Sequence, residues 1–294
     1  MQTTNRKMTN RKIMAAILLV ALTGLPGFAQ APPPPPPAYP PQELDRIVQR
    51  IALYPDPLLA QVLAAATFPD QIPDAARWSD QHHYLTGDAL AAAITADRLP
   101  WDPSVQALLP FPSVLDTMAS DMSWTSELGN AFLAQRDQVM DAVQRMRKTA
   151  RDFGYLRSNG QIVVSGGPYI EIAPVNPGFI VVPAYDPLIV FAAPRPGFFI
   201  GGAIGWGFGI NIGVAFRPWG WGANRFVWAS HGVIINNAPW GRTWVNRGAY
   251  VHPYAMPRYT GPRPVEGHAL HERSAREREA PRGGRAREEE EHRR

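Results

Sequence analysis

Along residues 42–158 the apolar positions recur with a helical period. Leu44, Ile47, Val48 and Ile51 share one helical face, and Leu58, Leu59, Val62 and Leu63 repeat the spacing after Asp56-Pro57. That pair supplies a capping carboxylate and a residue suited to the first helical position. Asp102-Pro103 repeats the device ahead of Val105, Leu108 and Leu109. Residues 72–78, 88–94 and 112–122 read as further helices. The longest is expected from residue 125 to 153, through Leu128, Phe132, Val139, Val143 and Met146, ending at Gly154. Arg136, Asp137, Asp141, Arg145, Lys148 and Arg151 form its expected solvent face.

After Gly154 the period changes to two. Residues 162–164, 169–172 and 179–182, separated by Asn159-Gly160, Gly166-Gly167-Pro168 and Asn176-Pro177-Gly178, predict strands and tight turns. The expected class is α+β: a helical domain over 42–158, a small antiparallel meander over 159–191 that residues 188–191 continue, a Gly/Trp-rich region over 192–256 and a charged tail. Asp186, before Pro187, has the local sequence of a third cap.

Residues 198–216, FFIGGAIGWGFGINIGVAF, fit two periods. Taken by two, large residues alternate with small ones, as in a strand. Taken by four, Gly201, Gly205, Gly209 and Gly213 form a small-residue ridge of the kind by which helices approach in lipid. Six glycines would cost a helix about 6 kcal/mol relative to alanine, whereas a strand of this length needs a bend, for which residues 207–209 are the candidate. Both readings stand at this point. Beyond them, Trp219, Trp221, Trp228, Trp240 and Trp244 alternate with Arg217, Arg225, Arg242 and Arg247. This composition suits an interaction surface for a membrane, a cell-wall glycan or another envelope protein, or Trp–Arg stacking inside a β layer.

Composition at the two flanks adds localisation. Arg6, Lys7, Arg11 and Lys12 precede an apolar run from Ile13 to Leu22, roughly half the length a transmembrane helix needs. With Gly27 and Ala29 at the small-residue positions, residues 1–29 read as a cleaved signal peptide, and the periplasm is the default destination. Residues 30–41 are a Pro-rich, polyproline-type linker. Residues 257–294 replace apolar positions with Arg, Glu, Pro and Gly and are expected to be disordered. The chain has no cysteine, so neither a disulfide nor a lipidated cysteine enters the picture. Of 29 basic and 25 acidic residues, four bases lie in the signal, which leaves the mature chain balanced and without the basic stripe that grips nucleic acid.

Candidate chemistry is sparse. Asp56, Asp102 and Asp186 are carboxylates that a glycoside hydrolase would need, yet each precedes proline and is better accounted for as a structural cap. His82 and His83 are adjacent and His231, His252, His268, His271 and His292 are scattered, without metal-ligand spacing. No cofactor loop or activated nucleophile is found, and no cofactor is expected.

Four blocks, ALYPDPLLAQVLAAATFPD, WDPSVQALLPFPSVLDTM, WTSELGNAFLAQRDQVMDAVQRMR and YIEIAPVNPGFIVVPAYDPLIVF, together resemble the domain of unknown function 3300 family over about residues 42–191. The resemblance implies an exported bacterial envelope protein and brings no activity, substrate or catalytic residue. The expected role is non-catalytic, structural or interacting. A wall-glycan hydrolase, or a membrane-associated protein acting through residues 198–216, is the alternative.

Overall fold

A computed structural model describes residues 34–194, 202–250 and 252; the signal segment, Gly201 and the charged tail lie outside the described residues. The class is α+β. Helices α1 (Pro41–Val48), α2 (Asp56–Ala66), α3 (Ile72–Gln81), α4 (Gly87–Asp97), α5 (Pro103–Gln106), α6 (Pro112–Ser120), α7 (Met122–Ala134) and α8 (Arg136–Asp152) come first. They are followed by β1 (Ile162–Val164), β2 (Ile172–Pro174), β3 (Phe179–Ile180), β4 (Pro183–Tyr185), α9 (Pro187–Val190), β5 (Ile204–Trp206), β6 (Ile210–Asn211), β7 (Arg225–Val227), β8 (Gly232–Ile235) and β9 (Ala238–Pro239).

Helix α2, DPLLAQVLAAA, is apolar on every side, so it can only sit at the centre, and ten of its eleven residues are buried. Helix α7 crosses it so closely that a Cβ on Gly129 would lie 1.9 Å from the Ala66 carbonyl oxygen. A glycine is therefore required there to bring two backbones together. The single helix expected over 125–153 is instead two. Its break at Gln135 has non-helical backbone (φ −139°, ψ 47°), and the Gln135 side-chain amide brackets Tyr39, accepting from its N–H at 2.6 Å and donating to its C=O at 3.2 Å. Helix α8 stops in a Schellman turn: Gly154 (φ 80°) donates to Arg151 and Tyr155 to Ala150.

The strands do not form a consecutive meander. Within residues 159–191 only β1 and β2 pair with each other; β3 pairs with β6 and β4 with β5, all antiparallel. Residues 188–191 are not a strand, because Asp186 accepts from the Leu188 N–H at 2.9 Å and starts α9. Within residues 202–216, the described stretch contains β5 and β6 and no helix, so the glycine-ridge helix is not formed there: Gly205 lies within β5, Gly209 abuts Phe179, and Gly213 follows β6. The ribbon of β3–β4 against β5–β6 carries an insertion. Ile180 faces Ile210 and Pro183 faces Trp206, so two residues on one strand oppose three, Gly207, Phe208 and Gly209, on the other. That is a β-bulge.

Strands β7, β8 and β9 form a small sheet whose second turn, Asn236-Asn237, has both φ positive (52° and 65°), the two-residue hairpin geometry that matches strand twist. Its inner residues Phe226, Val233 and Ile235 join Leu58, Leu63, Phe111 and Phe132 in one core cluster, and β7 and β8 contact α2 directly. The Gly/Trp-rich region is thus a wall of the helical core rather than a separate layer. No helix of the described residues is long and apolar enough to cross a membrane.

Candidate functional site

The three Asp-Pro carboxylates have different fates. Asp102 and Asp186 cap: Asp102 Oδ1 accepts from the Ser104 N–H at 2.9 Å and from Ser104 Oγ at 2.6 Å, opening α5 as Asp186 opens α9. Asp56 does not cap. It is the first residue of α2 rather than the residue before it, and its side chain turns inward to Arg147. Arg147 Nη1 lies 2.6 Å from Asp56 Oδ1, with the two side chains 0% and 11% exposed. The guanidinium also donates to the carbonyls of Ala52 (2.8 Å), Tyr54 (2.9 Å) and Ile170 (2.8 Å) and lies 5.1 Å from the Trp228 ring centre. Asp56 in turn accepts from Ile172 N–H at 3.3 Å and from Trp228 Nε1 at 3.1 Å.

A buried ion pair is tolerated only when its remaining donors and acceptors are satisfied, and this one is, by groups from α8, the approach to α2, strand β2 and the turn at Trp228. Neither Asp56 nor Arg147 lines any of the three concavities described below. Arg147 is absent from the expected solvent face of α8, and its spacing, four residues after Val143 and three before Ala150, puts it on the buried stripe. That position is the one sequence signal that pointed to it.

The tryptophans expected at an interaction surface are inside. Trp219, Trp221, Trp228 and Trp240 are 2–5% exposed and Trp244 is partly buried against the same core. The helical half accepts from three of them: Trp221 Nε1 donates to the Ala107 carbonyl at 2.9 Å, Trp228 Nε1 to Asp56, and the Trp244 backbone N–H to the Leu133 carbonyl at 2.9 Å, while Trp240 Nε1 is buried without a hydrogen-bond partner among the described residues. Gln61, buried in α2, reaches the Gly220 carbonyl at 2.7 Å. Of the arginines, Arg217 and Arg225 are exposed, whereas Arg242 is buried under the C-terminal end of α2, donating to Thr67 Oγ1 at 2.9 Å and lying 3.6 Å from the Phe68 ring centre. A cation at a helix C-terminus is favoured by the backbone dipole. Arg136, expected on the solvent face, is half-buried 5.0 Å from the Trp240 ring. Among the described residues, Arg247 alone of the four arginines of this region lies over an indole, 3.8 Å from the Trp244 ring centre, and the other arginine contacts of its indoles use Arg136 and Arg147 from the helices.

His252 Nε2 lies 3.2 Å from Asp102 Oδ1, and burial holds the Tyr250 phenol above its ordinary pKa. Among the described residues no group of three or more His, Cys, Asp or Glu is placed to hold a metal ion.

What remains open to a partner lies elsewhere. The bulge throws Phe208 into solvent at 98% exposure. It stands on the rim of a groove of about 440 Å³ bounded by Leu85, Leu90, Leu109, Pro110, Ile210 and Phe216, with His82, His83 and Asn211 as polar points and no carboxylate or cation in the lining. A groove of this size and apolar lining is of the kind that takes a ligand or a peptide side chain. Sequence alternation hid Phe208, because it shares the even-numbered phase of Ile204, Trp206, Ile210 and Ile212, which are buried or partly buried on both sides of the bulge. Two further concavities, of about 410 and 450 Å³, lie beside Arg145, Lys148 and Arg151 and between Arg50, Tyr54 and Tyr185. In the first, Arg145 is paired with Asp45 at 2.6 Å and Lys148 with Asp152; neither gathers a nucleophile and a base.

Comparison with known proteins gives two matches. A family described as "Protein of unknown function (DUF3300)" matches residues 40–239, which takes in the Gly/Trp-rich wall as well as the helices. The uncharacterized protein YacH of Escherichia coli (strain K12) is 33% identical over 193 residues, covering 54% of this chain and 31% of that protein. The chain therefore spans under a third of that relative's length. No solved structure matches.

Proposed function

The chain belongs to the DUF3300 family of proteins of unknown function, and within it we propose a non-catalytic interaction role in the cell envelope, centred on the groove beside Phe208. The observation that carries this reading is the fully exposed Phe208 on a two-glycine bulge at the mouth of an apolar groove. What makes this aromatic informative is its place at the mouth of an apolar hollow, the pairing of anchor and pocket at which binding energy concentrates when filled. Two supports are negative in kind. Asp56 is consumed by a closed ion pair, and Asp102 and Asp186 by caps, so the acids that a wall-glycan hydrolase would use are committed to structure. Export to the periplasm is part of the proposal and rests on the basic start, the short apolar run and Gly27-Phe28-Ala29.

The test is photo-crosslinking in cells. A crosslinking amino acid at position 208 is expected to give a discrete adduct, whereas one at Val245, 93% exposed and outside the groove lining, gives none. Indistinguishable patterns at the two positions would end the interaction reading. Purified protein that degrades wall glycan and loses the activity with Asp102→Asn would restore the hydrolase.

A further inference from the structure

We infer that the groove is a docking site for residues 253–265 of this same chain, PYAMPRYTGPRPV, a proposal that rests on the interaction reading of the groove. The first argument is position. The last described residue, His252, is held at Asp102. From Asp102 the chain runs through α5 and a turn to Leu109 and Pro110 in the groove wall, seven residues of helical or near-helical rise, about 10 Å. Residues 253–259 extend to about 23 Å, so Tyr254, Met256 and Tyr259 all come within reach of the hollow.

The second argument is charge. The lining has no cation, and exposed carboxylates stand on the elements that form it: Asp80 on α3, Asp88 on α4 and Asp116 on α6. The segment carries Arg258 and Arg263 and no acid. Its four prolines restrict the chain to extended conformers, which lowers the entropy lost on docking, and its aromatic residues match the apolar floor. Exposed carboxylates on the elements that form the groove disfavour an anionic membrane surface as the occupant.

Trypsin digestion of the full chain reads this directly. With the segment docked, cleavage after Arg258 runs about tenfold or more slower than after Arg273, because proteolysis follows the population of the open form. Phe208→Ser, at a position already exposed, removes that difference and leaves the Arg273 rate unchanged. Equal rates at the two arginines in the unaltered protein would overturn the inference, while a crosslink from position 208 to another protein would keep the interaction reading alive. Protection that survives Phe208→Ser places the segment elsewhere and also overturns it. Protection that fades on dilution assigns the groove to a second copy's segment and overturns the assignment to its own.

Discussion

The helical half and the Gly/Trp-rich half share one core but are stabilised in opposite ways. Helices α1–α8 satisfy their own backbones and meet side by side. In the second half the described strands are two to four residues long, too short to stand alone, and buried polar groups of both halves bond across to one another. Gln61 to Gly220, Trp221 to Ala107, Trp228 to Asp56 and Arg242 to Thr67 each cross between the halves over more than 100 residues of sequence. Glycine and tryptophan are therefore used together as a lining, with the indoles facing the helices.

The comparison breaks most sharply at Arg147. Arg147→Ala leaves Asp56 buried without its cation and is expected to cost about 3–5 kcal/mol in urea unfolding. Arg147→Met combined with Asp56→Asn removes both charges and should lose less than Arg147→Ala alone. Alkaline stability comes next. Burial pushes the Tyr54 phenol up to about 12 and raises Tyr185 as well, so the native fold favours the protonated phenols. Their contribution is complete below pH 10 and is lost as pH rises from 10 towards 12. A two-unit shift bounds the Tyr54 share at about 3 kcal/mol, and a pH series of urea midpoints that stays flat through this window would contradict it. Asp102→Ala removes a local cap and should cost about 1 kcal/mol by thermal unfolding. Phe208→Ser touches neither half and should stay within about 0.5 kcal/mol of the parent, its effect appearing only in binding.

Asp56 and Asp102 show how much of this was legible in the sequence. Both precede proline, and local chemistry gives each the same role. Asp102 keeps it because its partner Ser104 is two residues away; Asp56 does not, because Arg147 arrives from 91 residues further along and outcompetes a backbone N–H. The helix set, the stop at Gly154 and the α+β class follow from short-range spacing and were readable. The break at Gln135 was not, because the apolar stripe continues in phase across it and the disturbing partner is Tyr39. The place of the tryptophans is not legible in the sequence either: composition leaves a surface and internal stacking open, and only the fold brings the Ala107 carbonyl to Trp221 and Asp56 to Trp228. Residues 204–211 carried the strand period, and the bulge that exposes Phe208 lies where residues 207–209 were expected to bend.

The central claim is that both halves unfold as one core. Urea unfolding of the full chain, with Trp78, Trp101 and Trp124 replaced by Phe so that emission comes from the second half, should be followed by helical circular dichroism and by tryptophan fluorescence together. Coincident midpoints are predicted. A fluorescence transition that is complete while the helical signal remains native would show that the Gly/Trp-rich half is a separate layer.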